Sequence, residues 1–567
     1  MLRPRTAHVE RVRFKSSRVN EYRQSTSSVL AGRRCLTPIT HYAPDRDVLQ
    51  QCLILQSAFP KKTFVALVLI AGLAYYFVDI EEASWGDDVF ATYEGEQTQP
   101  TPLHFFDNKD EVRHWLDFHI PDPSAPLKDP NVAKFFSEQF AKLAGGWMMH
   151  EEEAIRENIP LTHGCRFKSN EPCEDYHALG TSPGPGEKPW NYWSIMDGHA
   201  GRHTAVFLQW TLIPNLSSAL LALPTTSSSV EIERTIKQTF LSTDRKIMDS
   251  ARTAASWFPA ANAAAIAALT PAFSGSCALL AAFDPASSTL RVACTGDSRA
   301  VLGRWDASSQ SYTCIPLSED QTGFNAKEVE RLAAAHPDEP DMIDPKSGRM
   351  FGIAVTRGFG DHRWKWDNDF VKQVQTKFWG TAPRPGAKTQ PYMTAEPEVT
   401  ETDIIRAEPN DGITKSDFMI MASDGLWDRI SSEHAVECVQ RWLEAKARGS
   451  GSVANDPQLA NSTQQFAINP TQLDPGVSIE NDEVDWKATP EYFAIEDENA
   501  AVCLARNAMG GTRRGLFLGV LSTPGPLGRN AVDDTTIMVV FFDKLHGQKA
   551  DKKKKSSDGG KPWWRPW

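Results

Sequence analysis

Tyr192-Trp-Ser-Ile-Met-Asp-Gly-His-Ala-Gly201 is the stretch that most directly indicates the fold. A short apolar run of strand-forming residues ends in Asp197-Gly198-His199, which fixes a carboxylate to the end of a strand. The pattern recurs where Phe418-Met-Ile-Met-Ala-Ser runs into Asp424-Gly425. A third instance is reversed, with Asp533-Asp534 standing before Thr535-Thr-Ile-Met-Val-Val-Phe-Phe542. Further apolar runs at Cys277–Phe283 and Leu290–Cys294 predict strands, and the patterns at Ala200–Leu212 and Ala326–Ala335 predict helices. Helices and strands come in groups rather than in strict alternation, which predicts an α+β layered fold.

In an antiparallel sheet the end of one strand lies beside the start of its neighbour, so these carboxylates can meet at one sheet edge. Unpaired carboxylates at close range repel and need a neutralising charge. Hard divalent cations, Mg or Mn, bound by carboxylates and water, supply it. The glycines after Asp197 and Asp424 permit a tight turn and leave backbone carbonyls accessible. One Asp-Gly alone is an ordinary hairpin signal. Three acids at strand ends, with Glu174-Asp175 upstream, point to a metal site.

Other chemistries are excluded by composition and by missing motifs. The 567 residues carry a formal net charge of −12, which argues against nucleic acid as a partner. The nine cysteines are scattered without a CxxC pair, so neither a zinc site nor a redox motif is indicated. Cys277 and Cys294 lie in small apolar stretches and read as core thiols. No cysteine begins a CxxxxxR loop, so cysteine-nucleophile phosphate chemistry is not expected. There is no GxxxxGK[ST] loop, and Asp417-Phe418 lacks the glycine of a kinase DFG.

The chain divides into unlike parts. Residues 1–60 form a leader whose first 34 positions are rich in Arg and Ser and poor in acids, the composition of an organelle transit peptide. Residues 61–82 contain the uncharged run Phe64–Val78, flanked by Lys61-Lys62 and by Asp79, Glu81 and Glu82. It is read as a single membrane anchor near the lower length limit for a span, with a buried core helix as the competing reading. Residues 83–130 are a proline-rich linker and 131–545 the globular region. Within it, 446–486 is a polar surface insertion; 546–567 is expected to be an unstructured tail.

With these residues in view, the chain resembles the type-2C (PPM) metal-dependent protein phosphatases over roughly Cys165–Phe542. The matching segments occur in the family's order: Glu174-Asp175, Asp197–Gly201, Ser274–Ala278, Thr295–Ala300, Glu328–Arg331, Ile353–Asp361, Ala395–Glu398, Ala422–Asp428 and Asp533-Asp534. The resemblance is closer to the pyruvate dehydrogenase phosphatase branch at Asn170–Asp175, Phe359–Trp366, Pro391–Val399 and the doubled Asp533-Asp534. It implies an α/β/β/α sandwich of two antiparallel sheets with a metal centre at one end. It also implies two divalent cations, Mg or Mn, with a weaker third, and a phosphorylated protein substrate such as the pyruvate dehydrogenase E1α subunit.

Carried over by position, Asp197 bridges the two ions and the Gly198 carbonyl adds a ligand. Glu174 holds one ion, with Asp175 in support, and Asp424 and Asp533 hold the other. Asp297 and Asp428 match the weaker third site, and His199 matches the proposed general acid. The phosphate-contacting arginine of many relatives is replaced by Asn170, which leaves phosphate capture to the metals or to another cation such as Arg166. The alternative reading is a catalytically inactive binding module; such members lack metal acids, whereas Glu174, Asp197, Asp424 and Asp533 are all present. A mitochondrial, inner-membrane-anchored protein is expected. Its catalytic side stays open, because an arrested anchor leaves that domain outside the matrix, where pyruvate dehydrogenase resides.

Overall fold

The computed structural model describes residues 108–113, 139–407, 415–448, 472–480, 483–523 and 527–543. The leader, the apolar run Phe64–Val78, the start of the globular region at 131 and the tail lie outside these residues. The chain separates into two units, residues 1–118 and 119–567. In the first, Asn108 Oδ1 accepts hydrogen bonds from the Asp110 and Glu111 N–H groups and caps one helical turn over 109–113.

In the second unit the strands run, in chain order, β1 (Trp147–Met148), β2 (Leu161–Phe167), β3 (Tyr176–Pro183), β4 (Pro189–Met196), β5 (Gly198–His199), β6 (Gly275–Ser276), β7 (Ala278–Asp284) and β8 (Thr289–Thr295). They continue as β9 (Arg299–Asp306), β10 (Ser311–Pro316), β11 (Phe359–Gly360), β12 (Glu398–Asp403), β13 (Phe418–Ala422), β14 (Val477–Glu480), β15 (Glu483–Trp486) and β16 (Thr535–Phe541). Two antiparallel sheets dominate: β1-β2-β16-β13-β9-β10 and β12-β8-β7-β4-β3.

Strand alternation assigns each face. In β13 and β16, Met419, Met421, Met538 and Val540 pack against Trp193, Ile195, Leu279, Ala281 and Val292 of the other sheet. The alternate residues Phe418, Ile420, Ile537 and Val539 pack outward on Val439 and Trp442 of helix Ser432–Ala447 and on helix Ala500–Ala508. On the far side, Tyr192, Leu280 and Ala282 meet Leu208, Leu212 and Leu216 of helix His203–Leu221, and Ile236 and Phe240 of helix Ser229–Trp257. The result is an α/β/β/α sandwich. Strands β13 and β7 are almost wholly apolar because both faces of each are covered.

Helix His203–Leu221 is long and apolar enough to cross a membrane, but its Leu208-Leu212-Leu216-Leu220 stripe is a core face seated on the sheet. Helix Ser229–Trp257 begins with a reciprocal cap between Ser228 and Glu231. The expected insertion at 446–486 is not wholly surface. Its described end folds into the β14–β15 hairpin, and Trp486 is 3% exposed within the core beneath helix Ala500–Ala508.

Candidate metal centre

Register places the acids. Ala422 at the end of β13 pairs with Ile537 near the start of β16 and with Arg299 at the start of β9. Asp424, Asp533-Asp534 and Asp297 therefore project from one end of the first sheet. In the second sheet Met196, ending β4, pairs with Tyr176, starting β3, which places Asp197 beside Glu174-Asp175. The β8–β9 connection carries Asp297 across from the second sheet to the first. The acids thus meet where the ends of two sheets converge, rather than at the edge of a single sheet. The sequence pattern marks strand ends but carries no information on which sheet each strand joins.

Asp197, Asp297 and Asp424 come closest, each presenting a carboxylate oxygen within 4.8 Å of the others. Asp197 Oδ2 is buried with no hydrogen-bond partner. Burial, then the charge of neighbouring acids, pushes the carboxyls of Asp197 and Asp424 well above the usual carboxylate range. Burial also raises Asp297, whose Oδ1 accepts a bond from the Cys277 thiol at 3.2 Å. Convergent, under-satisfied oxygens of this kind are what hard divalent cations require, so the residues fit the metals that the resemblance implies.

The remaining expected ligands are arranged around this trio. Glu174 Oε1 accepts from the Gly201 N–H at 2.6 Å, and its Oε2 faces Arg529 at 3.0 Å. The other arm of Arg529 meets Asp533 at 3.3 Å. Asp175 is buried and accepts from the Ser423 hydroxyl at 2.7 Å. Burial and the neighbouring Asp534 and Asp533 charges raise its carboxyl. Asp428 is exposed, and its backbone carbonyl accepts from Lys487 Nζ at 2.7 Å. The expectation grouped Asp297 with Asp428; the structure brings Asp297 instead against Asp197 and Asp424. Gly198 leaves room for the Glu174 carbonyl, since a Cβ there would stand 2.4 Å from that oxygen.

His199 Nε2 lies 2.8 Å from Asp361 Oδ2. Burial alone would lower this imidazole, and the Asp361 carboxylate outweighs burial to raise it. The contact is assembled by a three-stranded sheet, β11-β6-β5, in which His199 and Gly360 both pair with Gly275. A Cβ at Gly275 would sit 2.1 Å from His199 Nε2 and 2.2 Å from Asp361 Oδ2, so only glycine leaves the pair in contact.

Three functional groups have no clear sequence signal for their roles. Asp361 lies in a quoted motif, yet its partner is 162 residues away. Asp534 ties down the 169–174 loop: Oδ1 accepts from the Ser169 and Asn170 N–H groups and Oδ2 from the Glu174 N–H, at 2.8–2.9 Å. Arg529, 40% exposed, is the cation facing Glu174 and Asp533. Arg166, the cation suggested by sequence for phosphate capture, instead donates through Nε to the Asp175 carbonyl at 2.6 Å and lies 4.3 Å above the Tyr176 ring.

A two-sheet sandwich with an acidic centre at one end, flanked by a His–Asp pair, defines a metal-dependent phosphatase of the PPM class. Residues 159–474 match the family described as Protein phosphatase 2C, and the chain belongs to that family. It is a metal-dependent protein serine/threonine phosphatase. Over 384 residues it is 35% identical to a protein phosphatase 2C homolog of Schizosaccharomyces pombe, covering 66% of this chain and 79% of the relative. It is 32% identical over 408 residues to pyruvate dehydrogenase (acetyl-transferring) phosphatase 1, mitochondrial, of Saccharomyces cerevisiae, covering 66% and 68%. Against the corresponding human phosphatase 2, identity is 31% over 288 residues, covering 48% and 49%.

Proposed function

We propose that the acidic centre hydrolyses phosphoserine and phosphothreonine in mitochondria, with phosphorylated pyruvate dehydrogenase E1α as substrate. The observation that carries this reading is the convergence of Asp197, Asp297 and Asp424 with an unpartnered buried oxygen on Asp197. In this reading Asp197, the Gly198 carbonyl, Glu174, Asp175, Asp424 and Asp533 would together hold two Mg or Mn ions, Glu174 and Asp175 on one side and Asp424 and Asp533 on the other. Asp297, set against Asp197 and Asp424, would add a ligand to that centre, and Asp428 would serve a weaker third ion. When bound, the ions supply an activated water and offset charge on the phosphoryl oxygens.

The chain's own residues do the rest. Asp534 holds the Ser169–Glu174 loop so that Glu174 faces the centre. Ser423 orients Asp175. Asp361, bound at Nε2, favours the protonated His199 imidazole and aims it, and the other ring nitrogen, Nδ1–H, delivers a proton to the departing serine or threonine oxygen. The intact set of acids supports catalysis over the inactive binding module.

The mitochondrial names of the relatives and the basic leader support the compartment. The apolarity of Phe64–Val78 and its place between a basic leader and a polar linker support a single membrane anchor, which resistance to carbonate extraction would test. Phosphate release from phospho-E1α and from a generic phosphoserine peptide, in Mn, Mg and EDTA, tests the proposal. Metal-dependent release from both, faster on E1α and lost in Asp197→Asn, is expected. A folded protein inactive with either metal would return the reading to the binding module.

A further inference from the structure

Most buried or half-buried arginines of this structure face carboxylates: Arg299, Arg304, Arg331, Arg357, Arg506 and Arg529 each lie against an acid. The half-buried Arg363 and Arg384 do not, and neither does the exposed Arg349 beside them. Arg363 and Arg384 place their guanidinium carbons 5.5 and 5.2 Å from the same Trp364 ring. The backbone of Gly352 gathers the group, since a Cβ there would stand 1.9 Å from the Arg384 guanidinium, and its carbonyl accepts from Arg349 at 3.4 Å. Arg363 donates through Nε to the Ala382 carbonyl at 2.6 Å. The Arg384 Nε is buried without a hydrogen-bond partner. Among the described residues no carboxylate lies within ion-pair distance of any of the three.

This arrangement is unfavourable by itself. Burial, then the charge of Arg384, holds the Arg363 guanidinium below its ordinary range. A buried donor left without a partner destabilises the folded state. In a chain of net charge −12 the acids to neutralise the cluster are plentiful, yet the one acid that acts on it, Asp361, is already paired with His199. Its position suggests what does so: Arg363 is two residues beyond Asp361, the partner of His199, and feels that carboxylate's charge, which sets the cluster on the His199 side of the acidic centre.

We propose that Arg349, Arg363 and Arg384, grouped about Trp364 and Gly352, form a docking site for an acidic segment of the phosphoprotein substrate next to its phosphorylated residue. The inference rests on the phosphatase reading and adds a preference for carboxylate-rich flanks. Partly exposed arginines on a rim contribute mainly through complementary charge, so the effect falls with ionic strength.

The test compares two phosphoserine peptides, one with an Asp/Glu-rich flank and one neutral, and p-nitrophenyl phosphate, all with Mn. Wild type is expected to favour the acidic peptide in KM. Arg363→Gln with Arg384→Gln should raise that KM roughly tenfold, leaving the neutral peptide and the aryl phosphate unchanged. Arg349→Gln, at an exposed position where folding is not at stake, should raise it roughly threefold. Calorimetry with the unphosphorylated acidic peptide in EDTA should show binding to wild type that the double variant loses. Equal KM for both peptides, equal losses on both, or no binding in EDTA would overturn the site. Tighter binding of inorganic phosphate, or of anionic vesicles, than of the peptide would also overturn it. Loss of p-nitrophenyl phosphate hydrolysis in wild type would instead point to failure of the phosphatase reading itself.

Discussion

His199 and Asp361 touch only because Gly275 has no side chain between them. If His199 protonates the leaving oxygen, its value depends on how basic that oxygen is. His199→Gln and Asp361→Asn are expected to lower kcat on a phosphoserine peptide roughly 100-fold, and to change p-nitrophenyl phosphate hydrolysis far less, because that leaving group needs no proton. Equal losses on both substrates would assign the pair a structural role. Gly275→Ala should reproduce the same split by wedging the two side chains apart.

The strand-end acids were legible at this scale because the local pattern, an apolar run meeting Asp-Gly, is itself the signal. The roles of Asp361, Asp534 and Arg529 were not. Each acts through a contact separated by 162 to 365 residues, and only the Arg529–Asp533 pair, four residues apart, is local.

The helix Ala326–Ala335 shows why some elements could be read to the residue. Asn325 Oδ1 accepts from the Lys327 N–H at 3.0 Å and fixes the start, and one face of the helix, Glu328 and Leu332, is buried. Strand Phe418–Ala422 was equally clear, five apolar residues ended by Ser423-Asp424. The two-residue strands β5, β6 and β11 were not, because they are too short for any periodicity. The β14–β15 hairpin was hidden in a polar stretch whose buried core anchor, among the described residues, is Trp486. Trp486→Ala is expected to lower stability by about 3–5 kcal/mol in denaturant unfolding, since it empties a large core position. A change under about 1 kcal/mol would return residues 472–486 to the status of a surface insertion.

Glu328 ties this helix to its surroundings, 1% exposed and facing Arg331 at 2.8 Å and Arg357. Burial alone would raise its carboxyl, but Arg357, Arg331 and Thr356 outweigh burial and hold it down to about 2. A folded-state value below the unfolded one contributes stability above the unfolded value, lost as pH falls through the folded one. Glu328→Gln should therefore be less stable than wild type by about 3 kcal/mol at pH 7. The gap should narrow between about pH 4.5 and pH 2. A gap independent of pH in that window would contradict the account.

At the scale of the whole molecule, the sandwich exists to bring two sheet ends together, and its most informative property is instability of charge where they meet. The layer order followed from apolar strands and amphipathic helices, whereas the pairing of sheet ends depended on register, which no single segment carries. Without metal, Asp197, Asp297 and Asp424 repel; with metal they become ligands. The decisive measurement is thermal unfolding of wild type and Asp197→Asn in EDTA and in a Mn titration, with phosphate release followed on the same samples. Wild type should gain about 2.7 kcal/mol at a hundredfold excess of Mn over its dissociation constant. Asp197→Asn should be at least as stable as wild type in EDTA, gain little from Mn and release no phosphate. Equal stabilisation of both proteins by Mn, or phosphate release that persists in EDTA, would contradict the claim that these carboxylates form the metal centre of the enzyme.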